Sequence, residues 1–370
     1  MRSAFSSLMF VLLLVLAGVA SAVPAAAAEK AEAPVIPQGP IPVKAVVVTM
    51  FEIGEDTGDQ AAEFQLWYER RNLDTVFEFA GHHNLHFDSG NGVLVMVTGI
   101  GTAKSTASVM MLGMDPRFDL SKAYWLVAGI AGIDPEDASI GSAAWADYLV
   151  DGDLSHEIDP REMPEDWKYG YIARNTQVPF DENRPEPTGE VFQTNPELTE
   201  WAYQLTKDMK LPDYPSLDET RALYTEHPNA QRPPFVLKGD HLAAMTFWHG
   251  AILNAWANDW VDYWSDGEGE FVTSAMEDTG TMQALTWLTR AGRADRDRMM
   301  VLRTGSNYTV PPPGVDAATN LLSENEGYAG LEASLESAYL VGSRVIDMLV
   351  ANWDRYRDRT PVPADLMAAP

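Results

Sequence analysis

Glu277 follows Met276 where the chain passes from the stretch Asp266-Gly267-Glu268-Gly269 into a predicted helix. A carboxylate at a helix start often serves as a cap or a partner of the helix dipole. It can also accept two hydrogen bonds at once, which matches a vicinal diol such as ribose O2′ and O3′. The residue types alone leave both roles open. Three further segments put small or polar residues where ligands bind in an open α/β sheet, outside the carboxyl ends of strands. They are Gly99-Ile100-Gly101, Gly129-Ile130-Ala131-Gly132 and Gly305-Ser306-Asn307. Glycine there lets backbone approach a ligand closely. Each turn on its own is weak, because strand-to-helix turns also use glycine for packing.

The elements that must position these residues follow from periodicity. Residues 43–50 are a β-branched run suited to a buried central strand. A helix is expected over 61–73 and a second strand over 92–97, leading through the Gly99 turn into a helix over 103–111. A third strand, 124–128, ends in the Gly129–Gly132 segment. That alternation argues for an α/β fold with a substantially parallel sheet. Residues 159–234 are rich in Pro, Asp, Glu and Tyr and read as a long insertion, with a helix over 196–210 inside it. Helices are expected over 241–260, 276–290 and 327–356, and a short strand over 299–303. With no internal repeat, one domain over 43–358 is the expected count, followed by a tail over 359–370.

Four motifs occur in a fixed order: Thr98-Gly99-Ile100-Gly101, Val127-Ala128-Gly129-Ile130-Ala131-Gly132-Ile133, Ala275-Met276-Glu277-Asp278-Thr279-Gly280, and Arg303-Thr304-Gly305-Ser306-Asn307. This set resembles the nucleoside phosphorylase and nucleosidase superfamily. Within it the chain is most similar to the purine nucleoside permease family, whose pattern Asp240-His241 and Phe247-Trp248-His249-Gly250 also resemble. The resemblance spans roughly residues 42–357. It implies a single nucleoside phosphorylase-like domain with a mixed, largely parallel central sheet flanked by helices. It also implies that Met276 and Glu277 contact ribose and that Gly129, Ala131 and Gly132 lie beneath the sugar. Asn307 stands where nucleosidases and some phosphorylases hold an Asp that protonates the departing purine. An Asn amide can hydrogen-bond a purine but cannot act as a general acid. Phosphorylases place an Arg in the first strand-end loop, whereas here that loop is Phe51-Glu52-Ile53-Gly54-Glu55-Asp56, and Ile130 takes the likely hydroxyl position of the Gly turn. Carboxylates there would repel phosphate. Glu52 or Glu55 would instead activate water, as a glutamate does in nucleosidases.

The histidines have competing readings. Gly81-His82-His83-Asn84-Leu85-His86 gathers three imidazoles, but no carboxylate with family precedent completes a ligand set. The segment reads as a polar loop before a strand, and no metal or cofactor is expected. His241, Trp248 and His249 either stack on a purine or belong to an amphipathic core helix with Trp256, Trp260 and Trp264. The chain has no Cys, which removes thiolate nucleophiles and Cys-based metal sites. No Gly-x-Ser-x-Gly or P-loop pattern is present.

Residues 1–22 read as a signal peptide, with Arg2 before an apolar run over 8–16 and small residues Ala20-Ser21-Ala22 at the cleavage site. Residues 23–42 read as a disordered leader. The expected location is periplasmic or extracellular. A formal net charge of −28 repels nucleic acid and anionic lipid, so neither is an expected partner. The expected function is an exported purine nucleoside-binding protein serving nucleoside uptake. A chain without a spanning segment cannot conduct a solute through lipid, so transport requires an inner-membrane partner. The alternative is a periplasmic purine nucleosidase, with a nucleoside phosphorylase ranked lower for want of an anion site. Superfamily members often form oligomers that complete one another's pockets, so a homo-oligomer is among the partners implied.

Overall fold

The computed structural model describes residues 39–367. The predicted signal peptide, the leader up to residue 38 and the last three residues lie outside them. One sheet of twelve strands organises the chain. In chain order these are β1 (Ala45–Thr49), β2 (Thr75–Phe77), β3 (Leu85–Asp88), β4 (Val93–Val97), β5 (Tyr124–Ile133) and β6 (Ala143–Trp145). They are followed by β7 (Tyr148–Asp151), β8 (Val191–Gln193), β9 (Val236–Lys238), β10 (Asp240–Ala243), β11 (Phe271–Ala275) and β12 (Met299–Tyr308). The main path runs β8-β7-β10-β11-β5-β1-β4-β3-β2, with β12 beside β5 and β6, and β9 beside β6. Six of the eleven pairings are parallel, so the sheet is mixed.

Helices cover both faces, which is why β1 and β4 are buried at every position. Val46, Val48, Leu94 and Met96 pack towards α2 (Thr102–Met114) and a helix over Asp278–Arg290, through Val109, Leu112, Met282 and Leu285. Val47, Val95 and Leu126 point the other way. They meet Trp67 of α1 (Gln65–Arg70), Trp201 of α3 (Pro196–Thr206), and Val341 and Val345 of the long helix Leu331–Ala351. Alternation along each strand thus assigns its residues to two cores. The three longest helices after α3, in chain order, are α4 (Ala251–Trp264), α5 (Asp278–Arg290) and α6 (Leu331–Ala351).

Several elements differ from expectation for identifiable reasons. Residues 129–132 and 304–307 are not turns: β5 and β12 run straight through them and pair in parallel over nearly their full lengths. Residues 240–243 form a parallel strand between β7 and β11 rather than the start of a helix, and α4 begins only after Gly250. The first helix is shorter than expected because residues 61–64 turn inward to carry Glu63 to the sheet. The 159–234 segment is more than an appendage. Asn195 caps α3 by accepting from the Glu197 and Leu198 amides, and Leu198, Trp201 and Ala202 enter the shared core. Ordered structure starts before residue 43, since Ile41–Pro42 pairs with Phe118–Asp119. The tail is docked, with Asp365 accepting from Arg355 at 2.5 Å and Arg359 at 2.8 and 2.9 Å.

Candidate functional site

Segments from β1, β4, β5, β11 and β12 meet at one cleft. Its walls include Met50 and Ile100 after β1 and β4, Ile130–Gly132 of β5, Ser274–Glu277 at the end of β11, and Arg303, Ser306 and Asn307 of β12. Loop residues Phe51, Glu63, Phe247 and Tyr328 complete it. The Phe247 and Tyr328 rings are near-parallel, 7° apart with centroids 6.3 Å apart. Ile100 and Phe247 are 47 % and 44 % exposed, an apolar rim of the kind that marks ligand grooves.

Glu277 is the N-cap residue of α5, but its side chain makes no capping hydrogen bond. Its Oε1 accepts from the Gly101 amide at 2.9 Å, and its Oε2 lies 2.9 Å from an Arg303 guanidinium nitrogen. Gly101 has φ +101°, a region that side chains rarely adopt. Arg303 is 1 % exposed and committed on every side. It bonds Asp278 through two nitrogens at 3.1 and 2.6 Å, and donates to the Ile130 carbonyl at 3.0 Å. Burial acts to lower the Arg303 pKa, but Asp278 and Glu277 outweigh it and raise it. Burial acts to raise Asp278, yet Arg303 and His241 hold it well below the carboxylate range.

Glu63 is the residue that sequence reasoning missed. Its Oε2 accepts from the Met50 amide at 2.7 Å and its Oε1 from the Ile130 amide at 2.8 Å, fixing the carboxyl in the cleft wall. Burial pushes its pKa up to about 8, with Arg303 opposing the rise and Glu277 adding to it. Gly129 makes this approach feasible, since a Cβ there would stand 2.5 Å from Glu63 Oε1 and 2.7 Å from an Arg303 nitrogen.

Asn307 sits at a register shift between β5 and β12, where the ladder passes from Gly305 opposite Ala131 to Asn307 opposite Gly132. Such a bulge re-aims a side chain. The Ser306 hydroxyl donates to Asn307 Oδ1 at 3.0 Å, and the Asn307 amide nitrogen reaches both Glu324 oxygens at 3.3 and 3.4 Å. Burial pushes Glu324 up to about 7, against the pull of that hydrogen bond.

With this geometry in place, comparison with known proteins is decisive. Residues 42–361 match the profile of the family described as purine nucleoside permease (NUP). The chain belongs to that family. A purine nucleoside permease of Candida albicans is 30 % identical over 320 residues, covering 84 % of this chain and 76 % of the relative. A probable purine nucleoside permease of Schizosaccharomyces pombe is 28 % identical over 278 residues, covering 73 % and 79 %. Among solved structures, futalosine hydrolase of Helicobacter pylori superposes with a TM-score of 0.50 at 15 % identity, covering 83 % of this chain and 98 % of that one. A Helicobacter pylori MTAN mutant with 5′-methylthioadenosine in its active site gives 0.50 at 14 % identity, covering 83 % and 99 %. At these identities the likeness establishes the nucleosidase-type fold of this permease family member.

The expected site residues divide into two groups. Ala131, Gly132, Met276, Glu277 and Asn307 share the cleft, and Gly129 lies just beneath it as the gap that admits Glu63 and Arg303. The others are placed elsewhere. Glu52 points back into its own loop, accepting from the Ala62, Phe64 and Gln65 amides at 2.7, 3.1 and 2.6 Å, so it is a backbone anchor and not free to activate water. Glu55 is exposed on the same loop. His241, on β10, is fully buried behind the cleft. Its Nδ1 pairs with Thr273 Oγ1 at 2.9 Å, while its Nε2 lies 2.9 Å from an Asp278 carboxylate oxygen. His249 is turned to Asn320 at 3.0 Å. Trp248 packs near Phe271 and Trp256 and lines a side cavity that shares Gly132, Met276 and Asn307 with the cleft. In that motif the aromatic facing the cleft is Phe247. The expected polar loop at 81–86 is also revised: His86 is part of β3 and buried, and the fold brings Asp56 to His83 and His86.

Proposed function

We propose that this permease family member is an exported purine nucleoside-binding protein that serves nucleoside uptake with a membrane partner. The observation that carries the reading is one cleft lined by Glu277 and Asn307 together. Glu277 offers carboxylate oxygens to sugar hydroxyls, and Asn307 offers an amide to the base edge, with the Phe247 and Tyr328 faces beside it. Among the described residues no helix is long and apolar enough to cross a membrane, so movement through lipid is assigned to a partner. Export to the periplasm or the extracellular space rests on the sequence of residues 1–22, and the superfamily's habit makes a homo-oligomer part of the proposal.

Phosphorolysis is disfavoured because Arg303, the cation in the cleft wall, is already bonded to Glu277, Asp278 and Ile130. A second reading, hydrolysis, is favoured by Glu63. Its carboxylate would take a proton from water while the water oxygen bonds C1′ and the electron pair of the C1′–N bond leaves with the purine. With a pKa of about 8, Glu63 is mostly protonated at neutral pH, so hydrolysis would quicken as pH rises towards and through 8. One experiment separates the readings. The mature protein is incubated with adenosine, inosine and guanosine, with and without phosphate, while free base and bound nucleoside are measured. Saturable binding without free base supports uptake, base release without phosphate supports hydrolysis, and release that requires phosphate defeats both. Cell fractionation and crosslinking to membrane proteins test the location and the partner.

A further inference from the structure

We infer that Asp56, His83 and His86 form a binding site for a divalent transition-metal ion of the zinc class. Asp56 is distant in sequence from the two histidines, and the fold brings them together: Asp56 lies on the loop after β1, His83 just before β3, and His86 within β3. One ligand atom from each lies within 4.8 Å of the other two.

The hydrogen bonding of His83 calls for a cation. Its Nδ1 lies 2.9 Å from the Asn84 carbonyl. A carbonyl only accepts, so Nδ1 carries the hydrogen. In the neutral ring Nε2 is then a lone pair, yet it faces Asp56 Oδ1 at 2.7 Å. Two acceptors at that distance repel unless a proton or a metal ion serves them. Backbone carbonyl on one nitrogen and ligand on the other is the usual arrangement of a metal-bound histidine. A proton would satisfy His83 but leaves His86 unexplained. His86 is 4 % exposed; its Nδ1 has no partner, and its Nε2 is 3.6 Å from Asp56 Oδ2, beyond hydrogen-bond range. A buried imidazole with neither nitrogen hydrogen-bonded is costly, and an ion bound through Nε2 would give that nitrogen a partner and join both imidazoles to the carboxylate.

Tetrahedral ligands at about 2.0–2.2 Å from one ion lie roughly 3.3–3.6 Å from each other. Closing the site from 4.8 Å therefore takes side-chain movements that sum to about 1.2–1.5 Å, shared between the half-buried Asp56 and His83. Two imidazoles and one carboxylate suit zinc, cobalt or nickel and not magnesium or calcium, which prefer all-oxygen shells. The Phe64 ring lies 5.0 and 4.9 Å from the His83 and His86 rings, so a bound ion would tie the loop after β1 to β3.

The test is calorimetric titration of the EDTA-treated protein with ZnCl2 in millimolar MgCl2, which occupies the acidic surface. The expected result is one saturable zinc site per chain, weakened about tenfold or more by Asp56→Asn and by His83→Ala, and unchanged by His82→Ala on the exposed neighbour. Bound Co2+ should give visible d–d absorption that Asp56→Asn abolishes, with circular dichroism verifying the fold of each variant. Zinc binding of equal strength in wild type, Asp56→Asn and His83→Ala, or no saturable binding, overturns the proposal. No nucleoside enters the assay, so its outcome is independent of the cleft's function.

Discussion

Glu63→Gln tests the central electrostatic feature of the cleft, a carboxyl held in its acid form by burial. In the folded chain its pKa is about 8 against an ordinary 4.5. The folded state therefore holds a proton that the unfolded state releases between those values. Where the native state binds more protons, stability falls with rising pH. The Glu63 contribution is fully present below about pH 4.5 and is lost as pH rises to about 8. At about 1.4 kcal/mol per unit, the 3.5-unit displacement sets a ceiling of about 5 kcal/mol on that loss. Gln cannot ionise, so the variant lacks this slope. It has a cost of its own, because both carboxyl oxygens accept backbone amides and an amide supplies only one acceptor. One N–H, of Met50 or Ile130, would face an NH2 group, costing about 1–3 kcal/mol. Urea denaturation from pH 5 to 9 should show wild type more stable at the acid end. On these magnitudes the two stability curves should cross between about pH 5 and 7, with the variant the more stable above the crossing. Parallel curves across the range would mean that Glu63 is ionised in the folded protein, and the reasoning about its burial would fail.

Glu277→Ala should lower adenosine affinity by about 1.5–3 kcal/mol, the worth of hydrogen bonds to a charged group; an unchanged Kd by calorimetry removes Glu277 from the sugar site. Asn307→Ala should weaken purine nucleosides more than pyrimidine nucleosides, measured as a ratio of Kd values, and equal losses would count against base recognition there. Glu324, with a pKa of about 7, becomes a full acceptor for the Asn307 amide as it ionises. Purine affinity should accordingly vary between pH 6 and 8 in wild type, and Glu324→Gln should remove the part of that variation centred near pH 7. Adenosine 5′-monophosphate should bind at least tenfold more weakly than adenosine, and comparable Kd values would show an anion site that the Arg303 pairing denies.

Much of the fold was legible because runs of apolar, β-branched residues specify buried strands with little dependence on tertiary context. The β-branched runs at 43–50 and 92–97 became β1 and β4, and the ordered motifs gathered at one cleft. What was not legible depended on pairing partners far away in sequence. Residues 129–132 and 304–307 look like Gly turns in isolation, but each supports the other as a strand through the β5–β12 ladder. The sequence around His241 allows either a ligand contact or a place in a core helix; as part of β10 its neighbours are instead Thr273 and Asp278. Glu52 and Glu63 are both acidic residues after β1, and local pattern cannot say which turns inward. The difference is that Glu52 finds the amides of its own loop, whereas Glu63 finds the Met50 amide just after β1 and the Ile130 amide within β5. A similar reach across sequence supplies Asp56 to the histidines, which on their own spacing lack a carboxylate.

The same pairing logic explains what kind of ligand the cleft can admit. Arg303 would serve as an anion receptor if it stood alone in the wall, but Asp278 locks its guanidinium edge-on and Glu277 takes the remaining direction. Formal charges of Glu277 and Asp278 against Arg303 leave one net negative charge while Glu63 is protonated, and two once it ionises. A neutral nucleoside meets acceptors for its hydroxyls without a charge penalty, whereas phosphate or a nucleotide must displace carboxylates from the guanidinium or face them unpaired. His241 acts at one remove, packing beside Asp278 so that the carboxylate stays turned towards Arg303. Asp278 behind the cleft and Glu277 within it thus hold the guanidinium together, and an incoming anion would have to compete with both.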